Sequence, residues 1–232
     1  SYGNIIVADS GNHRVLKIDQ AGILCWELGR KNSDGLNSAG TAQGEFNSPQ
    51  GVCIDTDGSI WVADTGNCRI QKLNSSGDPV IAFGSWGNGL GQFGGDGPLA
   101  IAVNENASIL VCDSHTAVGG NHRIQKFDND GKFIEQFGSY GVGPGQFAGS
   151  TSLREYGFDF GPGIGPGPIG PSDIVINSQL NHLQAMNNLG GDIYVADCDN
   201  DRILVFHGTG EFARSINITG IKRPRNLVMD GN

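Results

Sequence analysis

One arrangement of apolar and polar residues recurs four times along the chain. In each copy a run of four apolar residues ends in an Asp, a polar turn follows, and an Arg then opens a second alternating run. The copies begin at Asn4, Ser59, Ser108 and Asp192. Two such runs around a polar turn predict a β-hairpin in every copy.

Two further strands flank each hairpin in the same way. The upstream strands begin at Pro49, Pro98, Pro171 and Pro224, and the downstream strands follow Gly22, Gly77, Gly131 and Gly210. In the second strand of one copy, residues 60–63 alternate between the two faces of the sheet, and all four are apolar. The sheet should therefore be covered on both faces, as blades are when they stack radially in a propeller.

The most specific motif is ADTGNCRIQKLNSSG, which begins at Ala63, together with the connections FGSWGNGLGQF and FGSYGVGPGQF after the second and third copies. This motif resembles the NHL repeat family. The resemblance implies an all-β fold, a β-propeller of four four-stranded blades in a single domain spanning residues 1–232. It leaves insertions at about 30–43, 148–170 and 178–191 outside the repeat pattern.

The two ends of the chain look like parts of one blade. The residues from Pro224 match a first strand, and the residues before Asp9 match a second strand. We therefore expect pairing of these terminal strands to close a four-bladed ring, because closure hides two strand edges. An arc of a larger, six-bladed propeller is the alternative, and head-to-tail pairing between copies is a third arrangement.

Composition and charge limit the classes of partner that the chain is expected to bind. The chain holds 38 Gly and 9 Pro among 232 residues, which suits short strands joined by tight turns. Its 15 Lys and Arg stand against 24 Asp and Glu, a net charge of −9 that disfavours nucleic-acid phosphate and anionic lipid. No apolar stretch approaches the roughly 20 residues that span a bilayer. We predict neither a nucleic-acid partner nor membrane insertion.

Acidic and basic residues recur at fixed places in the hairpins. The acids are Asp9, Asp64, Asp113 and Asp197, and the matching bases are Arg14, Arg69, Arg123 and Arg202. Repetition in all four blades argues against catalysis. An Asp at this place accepts hydrogen bonds from turn amides and from Arg, so we interpret these residues as structural turn residues. A ring of metal-binding carboxylates is the alternative.

No catalytic centre is evident in the remaining residues. His13 and His122 share one repeat position, which Cys68 and Asp201 occupy in the other blades. The five cysteines form no CxxC pair, and neither HxH nor HExxH occurs, so a zinc site is not expected. The family resemblance implies central metals in amidating lyases and lactonase propellers. We nevertheless predict no catalytic residue, no metal, no cofactor and no enzymatic activity.

Three Asn-X-Ser/Thr sequons, at Asn74, Asn106 and Asn217, are candidate N-glycosylation sites. Together with the cysteines they favour a secreted glycoprotein. We expect a non-enzymatic extracellular scaffold that binds protein or glycan through its faces and loops, and that takes part in a polymeric or fibrous assembly by self-association. A metal-dependent enzyme of the lyase or lactonase type is the alternative. RNA binding, which the resemblance also implies, is disfavoured by the charge.

Overall fold

A computed structural model describes residues 3–114, 121–147, 170–177 and 191–229. These residues form four antiparallel sheets of four strands each, so the predicted all-β fold with four four-stranded blades is confirmed. The strands of the first two sheets are β1 (Ile5–Asp9), β2 (Arg14–Ile18), β3 (Leu24–Lys31), β4 (Asn37–Ser38), β5 (Val52–Ile54), β6 (Ile60–Asp64), β7 (Arg69–Leu73) and β8 (Pro79–Phe83). Those of the last two are β9 (Pro98–Val103), β10 (Ile109–Asp113), β11 (Arg123–Phe127), β12 (Phe133–Phe137), β13 (Pro171–Asn177), β14 (Asp192–Asp197), β15 (Arg202–Phe206) and β16 (Phe212–Ile216).

The blades are numbered 1 to 4 in chain order, and blade 1 departs from the others. Its strands β1, β2 and β3 match the second, third and fourth strands of the repeat. The short strand β4 completes the sheet by pairing with Arg30 and Lys31 at the end of β3. It lies in the insertion predicted at about 30–43. The insertions predicted at about 148–170 and 178–191 fall almost wholly outside the described residues.

The expected pairing of the terminal strands is not what the structure shows. Strand β1 is an edge of its sheet, and residues 224–229 form no strand. The terminal segment lies on blade 4 instead, because Ser172 Oγ donates to the Pro224 carbonyl at 3.1 Å and the Leu227 amide donates to Asp173 at 2.6 Å. Successive blades contact each other through β1 and β5, β5 and β9, and β9 and β13, as in an arc.

Apolar side chains fill the seams between blades. Ile60 and Val62 pack toward blade 1 with Val15, whereas Trp61 and Ala63 pack toward blade 3. A third cluster joins blades 3 and 4 around Leu110, Phe147, Leu204 and Phe206. Coverage of both faces is therefore confirmed for blades 2 and 3, each of which has a seam on either side. All five cysteines are free thiols, and the parts of the chain that the structure describes contain no helix long and apolar enough to cross a membrane.

Candidate functional site

Antiparallel strand order sorts the turns onto two faces. Turns after the second strand of each blade, and loops that lead from one blade to the next, lie on one face, which we call the turn face. Turns after the first and third strands lie on the opposite face. Each hairpin on the turn face ends in a left-handed residue, namely His13, Cys68, His122 or Asp201. The repeat position shared by the two histidines is therefore set by backbone geometry.

The buried carboxylate of Asp64 organises its hairpin. Its Oδ2 accepts hydrogen bonds from Arg69 Nε at 2.7 Å, Asn67 Nδ2 at 2.9 Å and Gln71 Nε2 at 3.0 Å. Its Oδ1 accepts a bond at 2.8 Å from the amide of Asn47, which precedes the blade. Four donors satisfy both oxygens, so this buried charge is fully compensated.

The arginine then fastens a loop. Arg69 Nη1 donates to the Thr41 carbonyl at 2.6 Å, and Nη2 donates to the carbonyls of Ala42 and Glu45 at 2.8 Å each. These carbonyls belong to the loop that enters the blade. The Asp holds the guanidinium in place, and the guanidinium fixes that loop. We call this unit an Asp–Arg clamp.

The clamp recurs in blades 3 and 4, and blade 1 keeps only the ion pair. Arg123 donates to the carbonyls of Gly89 and Gln92, and Arg202 donates to those of Gly143 and Gln146. The structure thus brings each predicted Asp next to its Arg, in the pairs Asp9–Arg14, Asp64–Arg69, Asp113–Arg123 and Asp197–Arg202. Within the described ranges, no three His, Cys, Asp or Glu residues are grouped to hold a metal ion.

Burial distinguishes the clamps electrostatically. Desolvation raises the pKa of Asp113 above its usual value, although hydrogen bonds from Arg123 and from the Gly94 amide act in the opposite direction. Asp9 is more exposed, and its hydrogen bond with Arg14 lowers its pKa. Arg14 Nη1 turns to Glu27 at 2.6 Å. The ion pair of blade 1 is therefore the solvated member of the set.

Two of the clamped loops present aromatic side chains to solvent. We call residues 85–93 and 139–147 the aromatic loops. In each loop, the backbone of an exposed aromatic residue forms an isolated parallel β-bridge with the backbone of a buried Phe. The bridges join Trp86 to Phe93 and Tyr140 to Phe147. Trp86 is 72% exposed and Tyr140 is 57% exposed. The repeated FGSWGNGLGQF and FGSYGVGPGQF connections carried this signal, but the sequence reasoning used them only to identify the family.

The aromatic loops adjoin the left-handed turns. The Tyr140 ring lies 5.0 Å from the His122 ring, centre to centre. Leu90 and Val142 on the same two loops are 66% and 65% exposed. A fixed backbone thus displays two aromatic and two aliphatic side chains on the turn face. Exposed apolar groups gathered in this way are typical of an interaction surface.

The sequons lie apart from this surface or at its edge. Asn106 and Asn217 are exposed, whereas Asn74 is half-buried and its amide donates to Asp78 at 2.9 Å. Asn74 and Asn106 occupy turns of the opposite face, and Asn217 follows β16 on the turn face. Glycosylation at the three positions stays a prediction.

A second polar cluster joins blade 4 to the terminal segment. Asp199 occupies the place that Gly66 holds in blade 2, and its carboxylate is buried 3.3 Å from Arg223 Nη2. The neighbouring Asp201 accepts hydrogen bonds from the Arg223 amide and from Lys222 Nζ, both at 2.8 Å. Burial raises the pKa of Asp199 to about 6. The sequence signals for this cluster were the replacement of GNHR by DNDR in the fourth repeat and the basic residues Lys222, Arg223 and Arg225.

Asp199 should make the protein more stable as the pH falls from 7 to 5. The folded state takes up a proton near pH 6, whereas the unfolded chain does so near 3.8, so acidification favours folding. We expect this group to add about 1 kcal/mol to the free energy of unfolding over that range. Urea denaturation at pH 7 and at pH 5 measures the free energy of unfolding. Its increase on acidification should be smaller by this amount in Asp199→Asn than in the unmodified protein. An identical gain in both proteins would contradict the assignment.

Comparison with known proteins identifies the repeat. Residues 46–73 match the family model described as NHL repeat. NHL repeat-containing protein 3 of Homo sapiens is 32% identical over 108 residues, which is 46% of this chain and 27% of that protein. The mouse peptidyl-glycine alpha-amidating monooxygenase is 35% identical over 176 residues, 74% of this chain and 15% of that protein.

A solved structure of a streptogramin B lyase superposes with a TM-score of 0.56 at 18% identity, covering 97% of this chain and 54% of that one. A probable peptidyl-alpha-hydroxyglycine alpha-amidating lyase of Caenorhabditis elegans is 27% identical over 77% of this chain and 42% of its own length. The chain spans less than half the length of each curated relative described here. Because proteins named as enzymes align with about three quarters of the chain, the prediction of a non-enzyme is wrong.

Proposed function

This chain belongs to the NHL-repeat family, and we propose that it binds a polypeptide partner through the two aromatic loops of its turn face. The observation that carries the proposal is the repeated exposure of Trp86 and Tyr140 on clamped backbone. Aromatic side chains with few rotatable bonds are the residues that most often dominate binding energy at protein interfaces. A backbone already fixed before binding reduces the entropy lost on association.

A polypeptide ligand is supported by the chemistry of the surface and by the proteins to which the chain is similar. The relatives aligned over most of the chain are named for peptidyl substrates. The net charge of −9 works against an anionic polymer as ligand. Trp and Tyr also supply a polar N–H or O–H beside a large apolar ring, which matches the mixed surface of a peptide.

A second proposal concerns what happens to the bound peptide. The alignment of amidating enzymes over 74% and 77% of the chain supports a chemical change in the ligand, of the lyase class. Secretion is likewise proposed, with the exposed Asn106 and Asn217 sequons as its support. The first of these concerns the fate of the bound peptide, and the second concerns where the protein acts.

Peptide selection tests the binding proposal. The folded chain is immobilised, exposed to a displayed random peptide library and to peptides ending in α-hydroxyglycine, and the bound fraction is sequenced and weighed by mass spectrometry. Trp86→Ala and Tyr140→Ala should each weaken binding of the selected peptides by about 30-fold, as expected for interface anchors worth about 2 kcal/mol. A mass change in recovered peptide would support the lyase proposal.

The matched control is Ile134→Ala, which removes an exposed apolar side chain at the start of β12, beside a turn of the opposite face. It should bind as the unmodified chain does. Enrichment of no peptide, or equal binding by all three variants, would contradict the proposal. Selective binding of oligosaccharides in a parallel array would assign the surface to glycans instead.

A further inference from the structure

A cavity on the opposite face stands apart from the aromatic loops. It has a volume of about 150 Å³ and lies where the first strands of blades 2, 3 and 4 end. Ile54, Val103 and Ile176 form its apolar walls, and Asp55 and Glu105 supply carboxylates. Such a mixture of apolar wall and a few polar groups is typical of ligand pockets.

The carboxylate of Asp55 is unusual within this cavity. The residue is only 6% exposed, so its charge is largely removed from water. Its Oδ1 accepts hydrogen bonds from the amide and hydroxyl of Thr56, at 2.6 and 3.2 Å. Its Oδ2 accepts none from the residues that the structure describes. This oxygen is not among the fully buried atoms that lack a partner, so it faces the accessible space of the cavity, where a bound cation would pair with it.

The turn that follows Asp55 does not explain the orientation of its side chain. Five similar turns begin with an Asp or Asn whose Oδ1 accepts the amides two and four residues later, at Asp19, Asn32, Asn74, Asn104 and Asp128. The Asp55 turn has the same backbone bonds, from Asp55 to Ser59 and from Gly58 to Asp55. Here Asp57 accepts the Ser59 amide instead, and Asp55 lines the cavity.

We propose that this cavity binds an alkyl guanidinium group, such as the side chain of an arginine. A guanidinium donates in a fork that fits a carboxylate, and Asp55 offers the oxygen that lacks a donor. The alkyl stem packs on Ile54, Val103 and Ile176, as stems of basic side chains do on apolar surface. Glu105 supplies a second negative charge at the exposed rim. An organic cation suits the apolar walls, and within the described residues no third His, Cys, Asp or Glu joins these carboxylates to hold a metal ion.

Calorimetric titration with n-butylguanidinium tests the proposal against n-butylurea, which has the same shape without the charge. The guanidinium should bind and the urea should not, and raising the salt concentration should weaken the binding. Asp55→Asn keeps an oxygen for Thr56 and should reduce the affinity at least 10-fold. Glu105→Gln should reduce it less, because Glu105 is exposed. Arginine-containing peptides in a second arm distinguish a polypeptide source from a free guanidine.

Asp57→Asn is the matched control, since it removes one charge from the same turn at a side chain that is 54% exposed. It should change the affinity less than threefold. Equal binding of the urea, or full affinity in Asp55→Asn, would overturn the proposal. The comparison of the two small probes needs no variant, so it decides the question even where a substitution unfolds the protein. Because the cavity is on the opposite face, failure here leaves the aromatic-loop proposal untouched.

Discussion

Replacing Asp64 with alanine should lower the free energy of unfolding by about 3–5 kcal/mol, the usual cost of leaving one member of a buried ion pair without its partner. Arg69 would lose the acceptor at 2.7 Å that holds it, and Asn67, Gln71 and the Asn47 amide would each lose a hydrogen bond. The loop held by Arg69 would loosen with it. Urea denaturation at pH 7 measures the change.

Asp9→Ala is the matched control, because Asp9 makes the same ion pair with Arg14 at 2.8 Å in a partly solvated setting. Water replaces much of what is lost there, so we expect a cost of about 1 kcal/mol or less. The two pairs share their spacing and partner type, but Asp9 is partly solvated and Arg14 donates to Glu27 instead of fastening a loop. Equal losses in the two variants would show that neither burial nor the fastened loop sets the strength of the clamp.

Gly97→Ala should destabilise the protein by at least about 3 kcal/mol, since it adds both backbone strain and overpacking. Gly97 has a φ of +100°, and a Cβ there would lie 2.0 Å from the Thr65 carbonyl oxygen. That oxygen is part of the backbone on the neighbouring blade, so it moves only if the seam opens. Thr65 Oγ1 also donates to the Pro98 carbonyl at 2.7 Å, and this bond should weaken as well.

Gly22→Ala separates the two effects. Gly22 has a similar φ of +81°, but a Cβ at that position has no neighbour within 4 Å. Its cost should be limited to the left-handed strain of about 1–2 kcal/mol. Thermal and urea unfolding of both variants gives the comparison. If the two substitutions cost the same, the seam between blades 2 and 3 yields more easily than its geometry indicates.

The strands could be predicted from sequence because alternation of apolar residues reports directly on burial. Ile60 and Trp61 do pack into different seams, as the two-faced apolar pattern requires. The Asp and Arg positions could also be found, because they repeat. The loop carbonyls that Arg69 binds could not, since a backbone oxygen has no sequence signature and its position depends on the whole blade.

The terminal segment was predicted to pair with the first strand of the chain, and this prediction failed for a different reason. Complementary repeat fragments tell which strand a segment resembles, but they do not tell which neighbour holds it. Ser172 and Asp173 fix residues Pro224 and Leu227 on blade 4, and this contact depends on side chains that the repeat pattern does not distinguish. The orientation of the Asp55 side chain could not be predicted for a similar reason. The turn sequence allows either Asp55 or Asp57 to accept the Ser59 amide.

The ion pair at the base of each hairpin tolerates a change in the length of the turn above it. Asp113 and Arg123 lie ten residues apart in sequence, whereas Asp64 and Arg69 lie five apart, yet the two Nε–Oδ2 distances are 2.8 and 2.7 Å. Selection can therefore lengthen a turn without disturbing the seams below it. The turns can therefore change during evolution while the fold stays the same. One repeat architecture can acquire different ligands in this way.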